Sequence, residues 1–128
     1  MLLAVCQHYE IEADDTVIPR IAWGFAGGFG NTGAVCGAVV GGVMGLGLLL
    51  ERGETMDEAL GALEVVAEFR RRFEDEMGSI HCRELTGVDL TTEEGIEQLV
   101  GSDIPQNACF PAVGTAYQLV VDLLEESG

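Results

Sequence analysis

From Ile21 to Leu50 the chain carries no charged residue, and within that stretch glycines recur at Gly33, Gly37, Gly41 and Gly45. The i, i+4 spacing places all four on one side of a helix, with Ala34, Ala38 and Gly42 in a parallel row beside them. Glycine costs a helix about 1 kcal/mol relative to alanine. A helix that keeps four glycines in register therefore offers a flat side for close approach of another backbone. The spacing predicts a central helix from about Thr32 to Leu50, with Cys36, Val40, Val43 and Gly47 on the neighbouring stripe. Its flat side suits another helix of the same chain or a second copy, so a homo-oligomer is an expected possibility.

The remaining segments read as helices that cover this one. Met1–Tyr9 reads as a helix that an upstream segment would extend. Asp14-Asp15 offers an N-cap for a second helix that reaches about Gly24, with Pro19 tolerated near its first turn. Gly27-Gly28-Phe29-Gly30-Asn31 is a loop. Thr55-x-x-Glu58 has the capping-box pattern, opening a helix with apolar positions at Ala59, Leu63, Val66, Phe69, Phe73 and Met77. Ser79 caps a short helix through Leu85 that stops at Gly87, and Thr91-x-x-Glu94 opens another that ends at Gly101. Pro111 fits the first position of a last helix to about Glu125. No segment alternates with period two. The expected fold is all-α: residues 1–128 form a single compact four-cysteine domain of six or seven helices around the glycine-rich one.

Charge excludes several functions. With a formal net charge of −16, the chain is ill suited to nucleic acid or an anionic membrane surface. Its only basic run, Arg70-Arg71-Arg72, lies among Glu68, Glu74, Asp75 and Glu76, as on a solvated helix face. There is no lysine, which removes Schiff-base chemistry and the P-loop lysine. Gly28-x-Gly30-x-x-Gly33 matches the dinucleotide fingerprint, but the segment before it reads as helix rather than the strand that motif requires. Gly33–Leu50 is long enough to span a bilayer, yet its glycines dilute its hydrophobicity and amphipathic helices are at hand to bury it, so no membrane span is expected. Serine occurs only at Ser79, Ser102 and Ser127 and histidine only at His8 and His81, a poor basis for a hydrolytic triad.

The chemistry falls to Cys6, Cys36, Cys82 and Cys109. No signal peptide is visible, so a cytoplasmic, reducing compartment is expected, where metal or redox chemistry outweighs structural disulfides. Cys36, Cys82 and Cys109 each fall at an expected helix start. Unpaired amides and the helix dipole there favour a thiolate. Cys6 lacks that feature and would have to be brought in by packing. The contrasting possibility is a helical binding or structural subunit with four unreactive thiols, since free cysteine is among the most buried residue types.

The ordered set Gly24-Phe25-Ala26-Gly27-Gly28-Phe29-Gly30, Gly33, Cys36-Gly37-Ala38-x-x-Gly41, Cys82-Arg83-Glu84-Leu85-x-Gly87 and Cys109 resembles the C_GCAxxG_C_C family of redox-active proteins, named for four cysteines and a CGAxxG motif. The resemblance spans nearly the whole chain and implies that Cys6, Cys36, Cys82 and Cys109 are the family cysteines. A similar module accompanies haem domains in split-Soret cytochromes, where an iron–sulfur centre is implied. This chain has no CxxCH, so haem does not carry over. The expectation is a redox protein, with electron transfer or thiol chemistry favoured over substrate turnover and a redox partner protein implied. All four cysteines would converge on a [2Fe–2S] cluster or another thiolate-bound metal, with Gly37 and Gly41 giving close approach and Arg83 lending charge. The alternative is a metal-free dithiol/disulfide mechanism.

Overall fold

Glycine placement decides which helices can touch. In the computed structural model, which describes residues 1–12 and 16–127, the helices are α1 (Leu2–His8), α2 (Val17–Ala22), the one-turn α3 (Ala26–Phe29), α4 (Gly37–Leu49), α5 (Met56–Met77), α6 (Cys82–Thr86), α7 (Glu93–Val100) and α8 (Phe110–Ser127). A 3-10 turn at Trp23–Phe25 follows α2, and a π-helical turn at Pro105–Cys109 leads into α8. Among the described residues there is no strand, only an isolated antiparallel bridge between Val35 and His81. The all-α expectation holds. In α3 the dihedrals of Gly27 and Gly28 are left-handed, and Phe29, Gly30 and Asn31 continue with positive φ. That segment is the expected loop, leaving seven regular helices among the described residues.

The flat side of α4 is filled from within the chain. A Cβ added at Gly41 would lie 3.0 Å from Met1 Cβ, and one at Gly45 would lie 3.1 Å from Val5, both at α1. A Cβ at Gly42 would lie 2.3 Å from the tip of the Phe69 ring, so α5 drives a phenyl group into the notch. Val5, Leu46, Phe69, Phe73 and Val120 are the largest fully buried side chains, and they join α1, α4, α5 and α8 in one core. Arg72 closes the outside with a two-toothed ion pair to Glu126 at 2.8 and 2.9 Å, tying α5 to α8. Arg70 pairs with Glu74 and Arg71 with Glu68, so the basic run is the solvated face expected of it. His8 Nδ1 meets the Tyr117 hydroxyl at 2.5 Å and joins α1 to α8.

Four boundaries differ from the sequence expectation. Helix α4 starts at Gly37 rather than Thr32: Gly33 has φ +74° and Cys36, with ψ 134°, is the N-cap. The backbone before Gly37 is committed to pairing with another segment and cannot also be helical. The second capping box does not form, because the N-cap falls one residue later and N3 is then Gly95, which has no side chain to return the bond. Thr92 is the N-cap and accepts from Gly95 N–H, while the Asp89 carboxylate accepts from Thr91 N–H and hydroxyl. His81, not Ser79, is the N-cap of α6, and the Ser79 hydroxyl accepts from His81 N–H at 3.0 Å. The last helical run begins upstream of Pro105 and passes through Pro111. An α-helical Pro111 would press its ring against the Asn107 carbonyl; the wide π turn just before it, closed by Phe110 N–H to Pro105 C=O, relieves that clash. The expected N-cap at Asp14-Asp15 lies outside the described residues. Among the described residues, no helix is long and apolar enough to cross a membrane.

The glycine accounting predicts opposite outcomes at two positions of α4. Gly42→Ala should destabilise the fold by about 1–3 kcal/mol, because Phe69 is fully buried and has nowhere to retreat. Gly47→Ala meets nothing within 4 Å and should be neutral or stabilising by up to about 1 kcal/mol. Urea denaturation of both variants checks the contrast.

Candidate functional site

The pairing that shortens α4 is what builds the site. Cys36 N–H donates to Ile80 C=O at 2.8 Å, Cys82 N–H donates to Ala34 C=O at 2.8 Å, and Arg83 N–H donates to Gly33 C=O at 3.3 Å. These bonds flank the Val35–His81 bridge. Side chains alternate across such a ladder, so Cys36 and Cys82 share the face opposite Val35 and His81. The glycine loop supports the ladder from behind. Gly28 C=O accepts from Ala34 N–H at 3.2 Å, and a Cβ on Gly28 would lie 2.5 Å from the Ala34 nitrogen. Gly28 has φ +70° as well, so only glycine serves there. The dinucleotide-like spacing is thus accounted for by chain packing.

Cys36 and Cys82 open into an apolar cavity of about 300 Å³, and Cys109 of the π turn lines it too. Its walls come from Ala26–Gly28, Gly37, Ala38, Leu85, Thr86, Leu90, Leu99, Ala108, Ala112 and Val113, with no charged side chain among them. Cys36, Cys82 and Cys109 are free thiols. Burial pushes the Cys82 thiol up, mutual repulsion with Cys36 and Cys109 adds to this, and a hydrogen bond from Thr86 offsets part of it. Cys109 is raised by burial and then by Cys36. For Cys82 and Cys109 this is the reverse of the lowered pKa values expected of helix-end thiols. Helix α6 has only five residues, and Cys109 sits inside a continuous helical run rather than at its start.

The other sequence candidates lie elsewhere. Cys6 is buried in α1 and is not a cavity wall. Gly41 faces Met1, and Gly37 alone of the two glycines lines the cavity, with its missing Cβ aimed at the Phe25 carbonyl 3.2 Å away. Arg83 projects outward, its side chain 65% exposed, and pairs with Asp89 at 3.6 Å. Sequence reasoning did not pick out Thr86, Leu90, Leu99, Ala108, Ala112 or Val113. The run Leu85, Val88, Leu90 after Cys82 carried a signal: Cys82, Val88 and Leu90 form a small second core with Leu99 and Ile104.

The fold and cavity define a helical protein with three thiols gathered in one apolar chamber. The family model described as "Putative redox-active protein (C_GCAxxG_C_C)" matches residues 1–123, and the chain belongs to that family. No curated protein and no solved structure matches it.

The electrostatic coupling predicts that Cys36→Ser lowers the pKa of both Cys82 and Cys109 in the metal-free chain, whereas Cys6→Ser leaves them unchanged. The pH dependence of alkylation, read by peptide mass mapping, checks this. The sign for stability follows. A thiol whose folded pKa is raised stabilises the fold fully below its unfolded pKa of about 8.5, and that contribution is lost as pH rises through the folded value. Wild type should therefore lose stability more steeply than Cys82→Ser above that pH.

Proposed function

We propose that this chain is an electron-transfer protein in which the Cys36, Cys82 and Cys109 thiolates hold a [2Fe–2S] cluster or a comparable thiolate-bound metal group. The cavity shared by those three thiols supports the reading most directly. The donor type suits it: among the described residues the lining offers three soft sulfurs and no carboxylate or imidazole, one short of the four ligands a [2Fe–2S] cluster takes, so the fourth would come from a ligand other than these three thiols. Burial first, and then repulsion from neighbouring thiolates, raises Cys82 and Cys109, and a cation placed between them would offset both.

A lone ion suits the arrangement less well. Among the described residues no three His, Cys, Asp or Glu side chains could hold one ion, and zinc requires every sulfur at about 2.3 Å. A two-iron group spreads its thiolates more widely, and a chamber of about 300 Å³ has room for it. When bound, such a cluster supplies one-electron transfer. The chain's own part is to fix two ligands on one ladder, bring the third from the π turn and surround them with apolar walls. Its net charge of −16 disfavours adding an electron and so lowers the potential.

Anaerobic purification followed by iron and sulfide analysis tests this. Iron and acid-labile sulfide should copurify in about equal amounts with a visible absorption band, and serine at position 36, 82 or 109 should abolish both. Metal-free protein that also resists reconstitution would overturn the proposal in favour of a dithiol/disulfide mechanism.

A further inference from the structure

The thiol chamber is larger than its proposed contents. A water-sized atom takes roughly 10–15 Å³ of such a cavity, so four inorganic atoms fill less than half of about 300 Å³. The apolar walls of the chamber include Leu85, Leu90, Leu99, Ala108, Ala112 and Val113. Leu99 reaches in from α7, Ala108 from the π turn, and Ala112 and Val113 from the first turn of α8. Among the described residues, the polar side chains in the lining are the three thiols and Thr86, whose hydroxyl donates to Cys82 C=O at 2.7 Å. Among the described residues no cationic side chain lines it to receive a phosphate or carboxylate, and the chain as a whole carries −16. Bringing an anion into such a chamber incurs desolvation without a compensating partner.

We infer that the chamber takes, beside its sulfur centre, a small uncharged and largely apolar molecule, and that this is the substrate class of the site. This rests on the redox reading of the cavity, and it excludes nucleotide cofactors and anionic thiols such as glutathione as occupants. A compartment of this size lies at the lower end of small-molecule sites, so the occupant is of the order of a substituted ring rather than a dinucleotide.

The test compares two disulfide probes on the full-length metal-free chain in high salt: neutral 4,4′-dithiodipyridine and dianionic 5,5′-dithiobis(2-nitrobenzoate). Each reacts by thiolate attack on one of its sulfurs, which forms a protein–probe disulfide and releases the other half as a chromophore, a nitrobenzoate thiolate from the anionic probe and, after proton uptake from water, 4-thiopyridone from the neutral one. The urea-unfolded chain carries the same charges and serves as the reference, and peptide mapping assigns the modified thiols. The preference for the neutral probe at Cys36, Cys82 and Cys109 should be at least about tenfold greater in the folded than in the unfolded chain, reflecting the exclusion of charge. Leu99→Trp and, independently, Ala108→Leu should each fill the compartment and cut that preference. A folded-chain preference within about twofold of the unfolded reference, or one that neither variant alters, would overturn the inference. Iron analysis reads the cluster and the probe ratio reads the chamber, so either proposal can fail without the other.

Discussion

Two backbone hydrogen bonds, Cys36 N–H to Ile80 and Cys82 N–H to Ala34, carry the arrangement of this protein. Residues far apart in sequence could meet in many registers. Here the bonds admit one, and the alternation of side chains then puts both cysteines on one face. Other features follow from this constraint. Helix α4 cannot start before Gly37, because Ala34 and Cys36 are already engaged in pairing. Position 28 must be glycine, because its Cα packs against the Ala34 backbone that forms one side of the ladder. The third thiol arrives by a different device. The wide turn that accommodates Pro111 carries Cys109, and Ala108, Ala112 and Val113 beside it face the same chamber.

Close helix packing and thiol placement are linked through α4. Its N-cap is Cys36, and its glycines admit α1 and Phe69 along its length. The helix is therefore held on two sides within a few ångströms, which fixes the thiol at its start. An apolar chamber lined by thiols also has an electrostatic consequence. Burial and like charge both oppose ionisation of Cys82 and Cys109, so these two thiols by themselves favour the neutral form and a bound cation would favour thiolates. Under the proposed function, that coupling would favour soft, positively charged inorganic groups at the centre of the site.

Much of this was legible in the sequence. Periodicity identified the all-helical fold, the glycine rows identified the central helix, and Thr55 with Glu58 marked the start of α5, because each signal lies within a few residues of its effect. The boundaries that failed depended on distant partners. Nothing near Thr32 reveals that Ala34 and Cys36 pair with Ile80 and Cys82, so a helix drawn from local pattern runs too far. Pro111 suggested a helix start because a π turn upstream is the less common way to accommodate a proline. At the site, the cysteines were found by residue type. Thr86, Leu90 and Leu99 were not, because ordinary core residues acquire a role only from the cavity they enclose. Arg83 stood beside Cys82 in sequence, but its helical position turns it toward Asp89 and solvent.

The central claim is that Cys36, Cys82 and Cys109 share one chamber while Cys6 stands apart. Treating the reduced, metal-free chain with a short bifunctional thiol reagent and mapping the bridged peptides tests it most directly. Bridges should form among Cys36, Cys82 and Cys109, and none should include Cys6. Bridging of Cys6 to any of the three, or no bridge among the three under conditions that alkylate each of them singly, would contradict the account.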